Sequence, residues 1–151
     1  MGDSIFIRSC TEKDIPALVN LMEELGYPTT HKELLIRFKK FSFLSGYGVL
    51  VAILKERIVG LVAWSQTLLF VSDKTRFHIE ALVVNKQYRG KSIGKKLMLS
   101  VEKIARQHAP SIIDLTSGVR RAPEGTHTFY NGLGYKNDGP MAKIYLRKEI
   151  E

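Results

Sequence analysis

Cysteine is almost missing from this chain. With Cys10 alone, no intramolecular disulfide and no cysteine-based zinc cluster can form, and a reducing, intracellular setting is expected. Long apolar runs are missing too: Lys55, Glu56 and Arg57 interrupt the longest one, which stops well short of the ~18 consecutive apolar residues of a membrane span. No cationic start leads into an apolar stretch, so neither a signal peptide nor a membrane partner is expected, and the expected location is the cytoplasm. His31, His108 and His127 have no ligand spacing, and His78 with Glu80 is too small a set, so no metal is expected. Acidic residues are in deficit, 15 against 23 Lys and Arg, which leaves a formal charge of +8. That excess favours anionic partners without distinguishing nucleic acid, acidic protein or a phosphorylated small molecule.

What is present is enough chain for one globular domain with a real core, since 151 residues fall within the usual ~100 to 200. "SIFIRSC" alternates like a strand buried on one face. Thr11 and Asp14 form a capping-box pattern before Ile15, Leu18, Leu21, Met22 and Leu25, which recur at helical spacing up to "GYP". "TTHKELLIRFKKF" starts a second helix on a Thr cap. "YGVLVAIL" and "RIVGLVAWSQTLLF" flank a polar corner and predict an antiparallel hairpin, and "FHIEALVV" predicts a further strand. Ile93, Leu97, Val101, Ile104, Ala105 and His108 share one helical face. "SIIDLTSG" predicts a strand, "GTHTFYNGLGY" a short helix leaving through Gly132 and Gly134, and "AKIYLRK" a last strand. The expected class is α/β, a single domain over residues 1–151 with a mixed sheet.

The stretch "QYRGKSIGKKL" joins a strand to a helix. A helix N-terminus presents N–H groups without intrahelical partners, and its dipole favours an anion there. Gly90 and Gly94 allow close approach, and Arg89, Lys91, Lys95 and Lys96 add charge. The turn also lies beyond a strand's C-terminal end, where α/β proteins bind ligands. It is not a P-loop, because only three residues separate the glycines and Lys96 holds the hydroxyl position, and it lacks the third glycine of a dinucleotide fingerprint.

The stretch resembles the pyrophosphate loop of the GNAT N-acetyltransferase superfamily, Q/R-x-x-G-x-G/A, with Gln87, Gly90 and Ser92 in the patterned positions after "ALVV". Ser92 departs from the usual Gly or Ala; its hydroxyl could contact a phosphate. "IVGLVAW" resembles the family's third strand and "FYNGLGY" its F-Y-x-x-x-G-F/Y segment, so the similarity covers roughly residues 3 to 147. The resemblance implies the GNAT fold, a mixed and mostly antiparallel sheet flanked by helices and splayed between strands 4 and 5. It also implies an acyltransferase that moves the acetyl group of acetyl-CoA directly to a primary amine. By position, Leu82, Val83 and Val84 would hold the pantetheine through their backbone. Arg89, Gly90, Lys91, Ser92, Ile93, Gly94 and Lys95 would hold the pyrophosphate.

Glu80 matches the family's carboxylate base, and alternation puts it on one face with His78 and Leu82. Tyr130 matches the tyrosine that protonates the departing thiolate; a phenol of ordinary pKa ~10 keeps its proton at neutral pH. Both have plainer readings, a half-buried sheet carboxylate paired with a cation and a core aromatic beside Phe129. His78 could assist deprotonation, while His127 reads as a solvated helix residue and Trp64 as core or cleft wall. The first two helices, with Tyr27, stand where the family shapes acceptor specificity. "HIEALVV" with "LTSGVRR" resembles the small-amine acetyltransferases, including those acting on aminoalkylphosphonates, and Arg120 and Arg121 could meet an anionic group. Val119 and Thr126 stand where Asn and Ala are frequent, which puts a side-chain amide contact to the cofactor in doubt. The alternatives are a protein N-terminal or lysine acetyltransferase and a non-catalytic CoA-binding protein. Nucleic acid is not an expected partner, since the cations are scattered and no reading motif accompanies them. The motifs do not specify oligomeric state, a homodimer being one option.

Overall fold

The computed structural model describes residues 4–118 and 125–151. Its elements run β1 (Ile5–Ser9), α1 (Ile15–Leu25), α2 (His31–Phe43), β2 (Tyr47–Leu54), β3 (Arg57–Leu68), β4 (Thr75–Val84), α3 (Ile93–Arg106), β5 (Ser111–Leu115) and α4 (Thr126–Gly132). The strands form one sheet in the order β1-β2-β3-β4-β5. The first three neighbour pairs are antiparallel and β4 runs parallel to β5, so the sheet is mixed and mostly antiparallel, as expected. The chain divides into two compact units, one up to Ile113 and one from Asp114 onward.

Local chemistry explains the boundaries. Thr11 and Asp14 form the expected capping box before α1, and the Thr11 N–H donates to Asp14 Oδ2 at 2.7 Å. Asp14 is buried and accepts both Arg8 guanidinium nitrogens, at 2.7 and 2.9 Å, which ties β1 to the helix start. Thr30 and Glu33 cap α2 reciprocally. The β2–β3 hairpin turns through Lys55 and Glu56, both left-handed with φ of 49° and 64°, and Leu54 pairs with Arg57 across it.

Residues opposite one another in a ladder share a face, and the register separates two cores. Val51, Leu61 and Val83 stand in one cross-sheet row and pack with Ile15, Leu18 and Leu21 of α1 and Leu34 of α2. The opposite face carries Gly60, Val62 and Trp64, and α3 buries Ile93, Leu97, Met98, Val101 and Ala105. Two glycines there make room. A Cβ on Gly60 would meet the Val83 carbonyl at 3.1 Å and Leu97 Cδ1 at 3.2 Å, so α3 lies directly on the sheet. Gly48 lies under the Trp64 ring, which leaves no space for any side chain.

The expected strand over "AKIYLRK" does not form: residues 142–148 pair with no strand among the described residues. Ile144, Tyr145 and Leu146 are exposed. Lys143 instead bonds to the Asn137 side chain in both directions, donating its N–H at 2.7 Å and accepting at 2.8 Å. Alternation marks a segment able to be a strand, but a ladder also needs an edge to receive it.

Candidate functional site

Two features of the N-terminal unit meet along β4. The first lies within the strand. Ala63 pairs with Ala81 and Trp64 with Ile79, so Glu80 is the extra residue of a β-bulge. Bulges re-aim side chains and favour the neighbourhood of active sites. This one corrects the alternation expected from sequence. Leu82 pairs with Val62, on the α3 face, whereas His78 pairs with Ser65, on the α1–α2 face. Glu80 belongs with Ser65 and His78: the Ser65 hydroxyl donates to Glu80 Oε1 at 2.8 Å. Ser65 is buried at 4% exposure, while Glu80 is exposed. Arg76 Nη2 lies 3.0 Å from His78 Nδ1 on the same strand. Tyr47 pairs with Ser65 from β2, and its ring meets Phe41 of α2 edge-on with centroids 4.9 Å apart. Phe41 of α2 thus packs on the cross-strand neighbour of Ser65, the residue that bonds to Glu80.

The second feature lies at the C-terminal end of β4. The Thr75 N–H donates to the Pro110 carbonyl at 3.0 Å, which starts β5 beside the first residue of β4. With five residues against ten, β5 is used up halfway, and the stretch containing Leu82, Val83 and Val84 runs on past it. The chain then makes a short 3-10 turn, Lys86–Tyr88, capped by the Asn85 side chain. Glu24 of α1 accepts the Lys86 N–H at 3.0 Å and lies 4.0 Å from Arg89 Nη2. Arg89 Nε also donates to the Val84 carbonyl at 3.3 Å.

Gly90 follows with φ of 82° and Ser92 with φ of 63°. The first intrahelical bond of α3 is Lys96 N–H to the Ser92 carbonyl, at 3.0 Å. The N–H groups of Ile93, Gly94 and Lys95 therefore have no partner within the helix, and no side chain caps that end. Arg89, Lys91, Lys95 and Lys96 are exposed around it. Free donors, a dipole end and solvent-facing cations fit a phosphate group. Ser92 does not act as a side-chain cap. Its left-handed backbone is the conformation glycine adopts without cost, which gives the physical reason for a glycine preference there.

Tyr130 belongs to the C-terminal unit. It sits on α4 between the rings of Phe129 and Tyr135, at centroid distances of 5.2 and 6.1 Å. The Tyr135 N–H closes the helix on the Tyr130 carbonyl at 3.0 Å. His127, read as solvated, has its Nε2 buried without a hydrogen-bond partner. Trp64 is core. Burial first, then Asp14, pushes the Cys10 thiol up to about 12. Val119, Arg120 and Arg121 lie outside the described residues. Among the described residues no three His, Cys, Asp or Glu gather as a metal set, and no helix is long and apolar enough to cross a membrane. Sequence reasoning missed Ser65, whose one signal is a hydroxyl inside an apolar strand. It also missed Glu24, which gives no local signal because it acts 62 residues away.

The acetyltransferase (GNAT) family model matches residues 15–135; the chain belongs to that family. Solved structures agree. A GNAT family acetyltransferase of Staphylococcus aureus is 26% identical, with a TM-score of 0.79, covering 97% of this chain and 99% of its own. Glucosamine-6-phosphate N-acetyltransferase from Arabidopsis thaliana, at 20% identity and a TM-score of 0.77 over 98% and 99%, shares the fold. So does the aminoglycoside N-acetyltransferase AAC(6')-Iy, solved in complex with CoA, at 14% identity and 0.80 over 99% and 98%. No curated protein matches the sequence.

Proposed function

We propose that this chain, as one N-acetyltransferase domain over residues 1–151, transfers the acetyl group of acetyl-CoA directly to the primary amine of a small molecule. The observation that carries this reading is the uncapped, cation-ringed N-terminus of α3 at the end of a strand whose bulge presents Glu80. The backbone of Leu82, Val83 and Val84 holds the pantetheine arm. Arg89, Gly90, Lys91, Ser92, Ile93, Gly94 and Lys95 hold the pyrophosphate. Arg89 then exchanges its present bond to Val84 for a phosphate oxygen, a stronger charge-assisted partner.

Glu80 is the base. Oε1 accepts from Ser65, and Oε2, without a hydrogen bond among the described residues, takes a proton from the acceptor's ammonium. Tyr130 returns a proton to the sulfur as it leaves. A positioned general base or acid contributes ~10²- to 10⁴-fold. Calorimetric titration with acetyl-CoA, followed by thiol release against amines, amino acids, aminophosphonates and peptides, tests the proposal. Failure to bind acetyl-CoA overturns it, and a preference for peptides moves the acceptor to protein. Tyr130→Phe is expected to lower kcat ~10²-fold or more while the acetyl-CoA Kd holds; undiminished turnover removes the acid role.

A further inference from the structure

We infer that Ser65 is a positioning residue that fixes the Glu80 carboxylate for proton abstraction. The inference rests on Glu80 being the base. Its physical origin is the bulge. Glu80 stands outside the ladder register, so no cross-strand neighbour fixes its side chain in the usual way, and it is exposed with rotamers to spare. Something must hold a base within reach of the proton it takes, because small misplacements cost large factors in rate.

Ser65 has the right construction for that task. It lies on β3, between β2 and β4, in a run buried from Val59 onward. At 4% exposure Ser65 is nearly closed off from solvent, and a buried hydroxyl without a partner costs about 1 to 3 kcal/mol. Its hydrogen bond is the 2.8 Å donation to Glu80 Oε1. Packing alone does not call for a hydroxyl here, since Val62, Ala63 and Trp64 fill the same strand with apolar groups. Because the hydroxyl hydrogen goes to Oε1, Oε2 keeps its lone pairs for another donor. Serine keeps its proton throughout: the proton leaving the acceptor nitrogen ends on Oε2, and the bond to Oε1 is retained. Tyr47 and His78 are Ser65's cross-strand partners, and the exposed Glu80 side chain, once released from Ser65, has other rotamers to occupy.

Four proteins test this: Ser65→Ala, Ser65→Thr, Glu80→Gln and the double variant Ser65→Ala with Glu80→Gln. Rates are read as CoA thiol release with the fastest amine of the panel, and acetyl-CoA affinity by calorimetry. Ser65→Ala is expected to lower kcat about 10- to 100-fold with the acetyl-CoA Kd unchanged, and Ser65→Thr to restore most of the loss. In the Glu80→Gln background the alanine substitution is expected to cost nothing further, because residues acting as a unit are non-additive. A crystal structure of Ser65→Ala is expected to show the Glu80 carboxylate displaced or split between conformers, a readout independent of the acceptor.

Wild-type kcat in Ser65→Ala, an equal fractional loss in both backgrounds, absence of rescue by threonine, or an unmoved Glu80 overturns the inference. Full turnover in Glu80→Gln is a different result: it removes the base role itself, and the positioning role with it.

Discussion

The residue scale is where this molecule departs from the easiest choice of side chain. Ser92 holds a left-handed backbone at the mouth of the proposed phosphate cradle, a conformation that costs a non-glycine residue about 1 kcal/mol or more. Ser92→Gly is therefore expected to raise stability by about 1 kcal/mol and the melting temperature by about 2 to 4 °C, measured by thermal unfolding. A fall would mean that the serine hydroxyl supports the loop in a way its backbone does not reveal. Asp14 gives a pH prediction. The Arg8 guanidinium holds its carboxyl below the usual carboxylate range, against the opposing effect of burial. The folded state thus prefers the ionised form, and the resulting stability is present above the unfolded value of ~3.9. It disappears as pH falls through the folded one. Asp14→Asn should be less stable than the parent at neutral pH, and the difference should shrink on acidification, as followed by melting temperature against pH.

At the scale of elements, the placement of α3 decides the geometry of the proposed cradle. Gly60 lets the helix rest on β3, with the Leu97 and Ile93 side chains 3.2 and 3.4 Å from where a Cβ would be. Gly60→Val should cost about 1 to 3 kcal/mol through overpacking. It should also weaken acetyl-CoA binding by lifting the helix start, read by denaturant unfolding and calorimetry; intact affinity would separate cradle from packing.

The elements themselves were largely legible, because capping pairs such as Thr11 with Asp14 and faces such as Ile93, Leu97 and Val101 are local signals. The bulge at Glu80 was not. One extra residue in a ladder is defined by the partner strand, and "FHIEALVV" reads as plain alternation without it. For the same reason Glu80 and Leu82 read as facing one way while standing on opposite faces. The C-terminal segment shows the reverse failure: its alternation was real, but its pairing depends on residues far away in the chain. Ser65 was visible only as a polar letter in "GLVAWSQ", and Glu80 as its partner needed the register.

Across the whole molecule, the charge of +8 has a local consequence in Arg89, Lys91, Lys95 and Lys96, all exposed at one helix end. Exposed ion pairs contribute about 0.2 to 1 kcal/mol each and are screened by salt. The acetyl-CoA affinity is thus expected to fall roughly tenfold from low to molar salt, by calorimetry at several ionic strengths. A salt-independent affinity would place the phosphates elsewhere.

The chain has a single tryptophan, and the Trp64 ring lies over Gly48, cross-strand from Ile79, the residue next to Glu80. Nature has thereby left one intrinsic fluorophore beside the bulge. Its emission needs no label and has no second indole to mask it, so an optical titration reports directly on the strand that carries the proposed base.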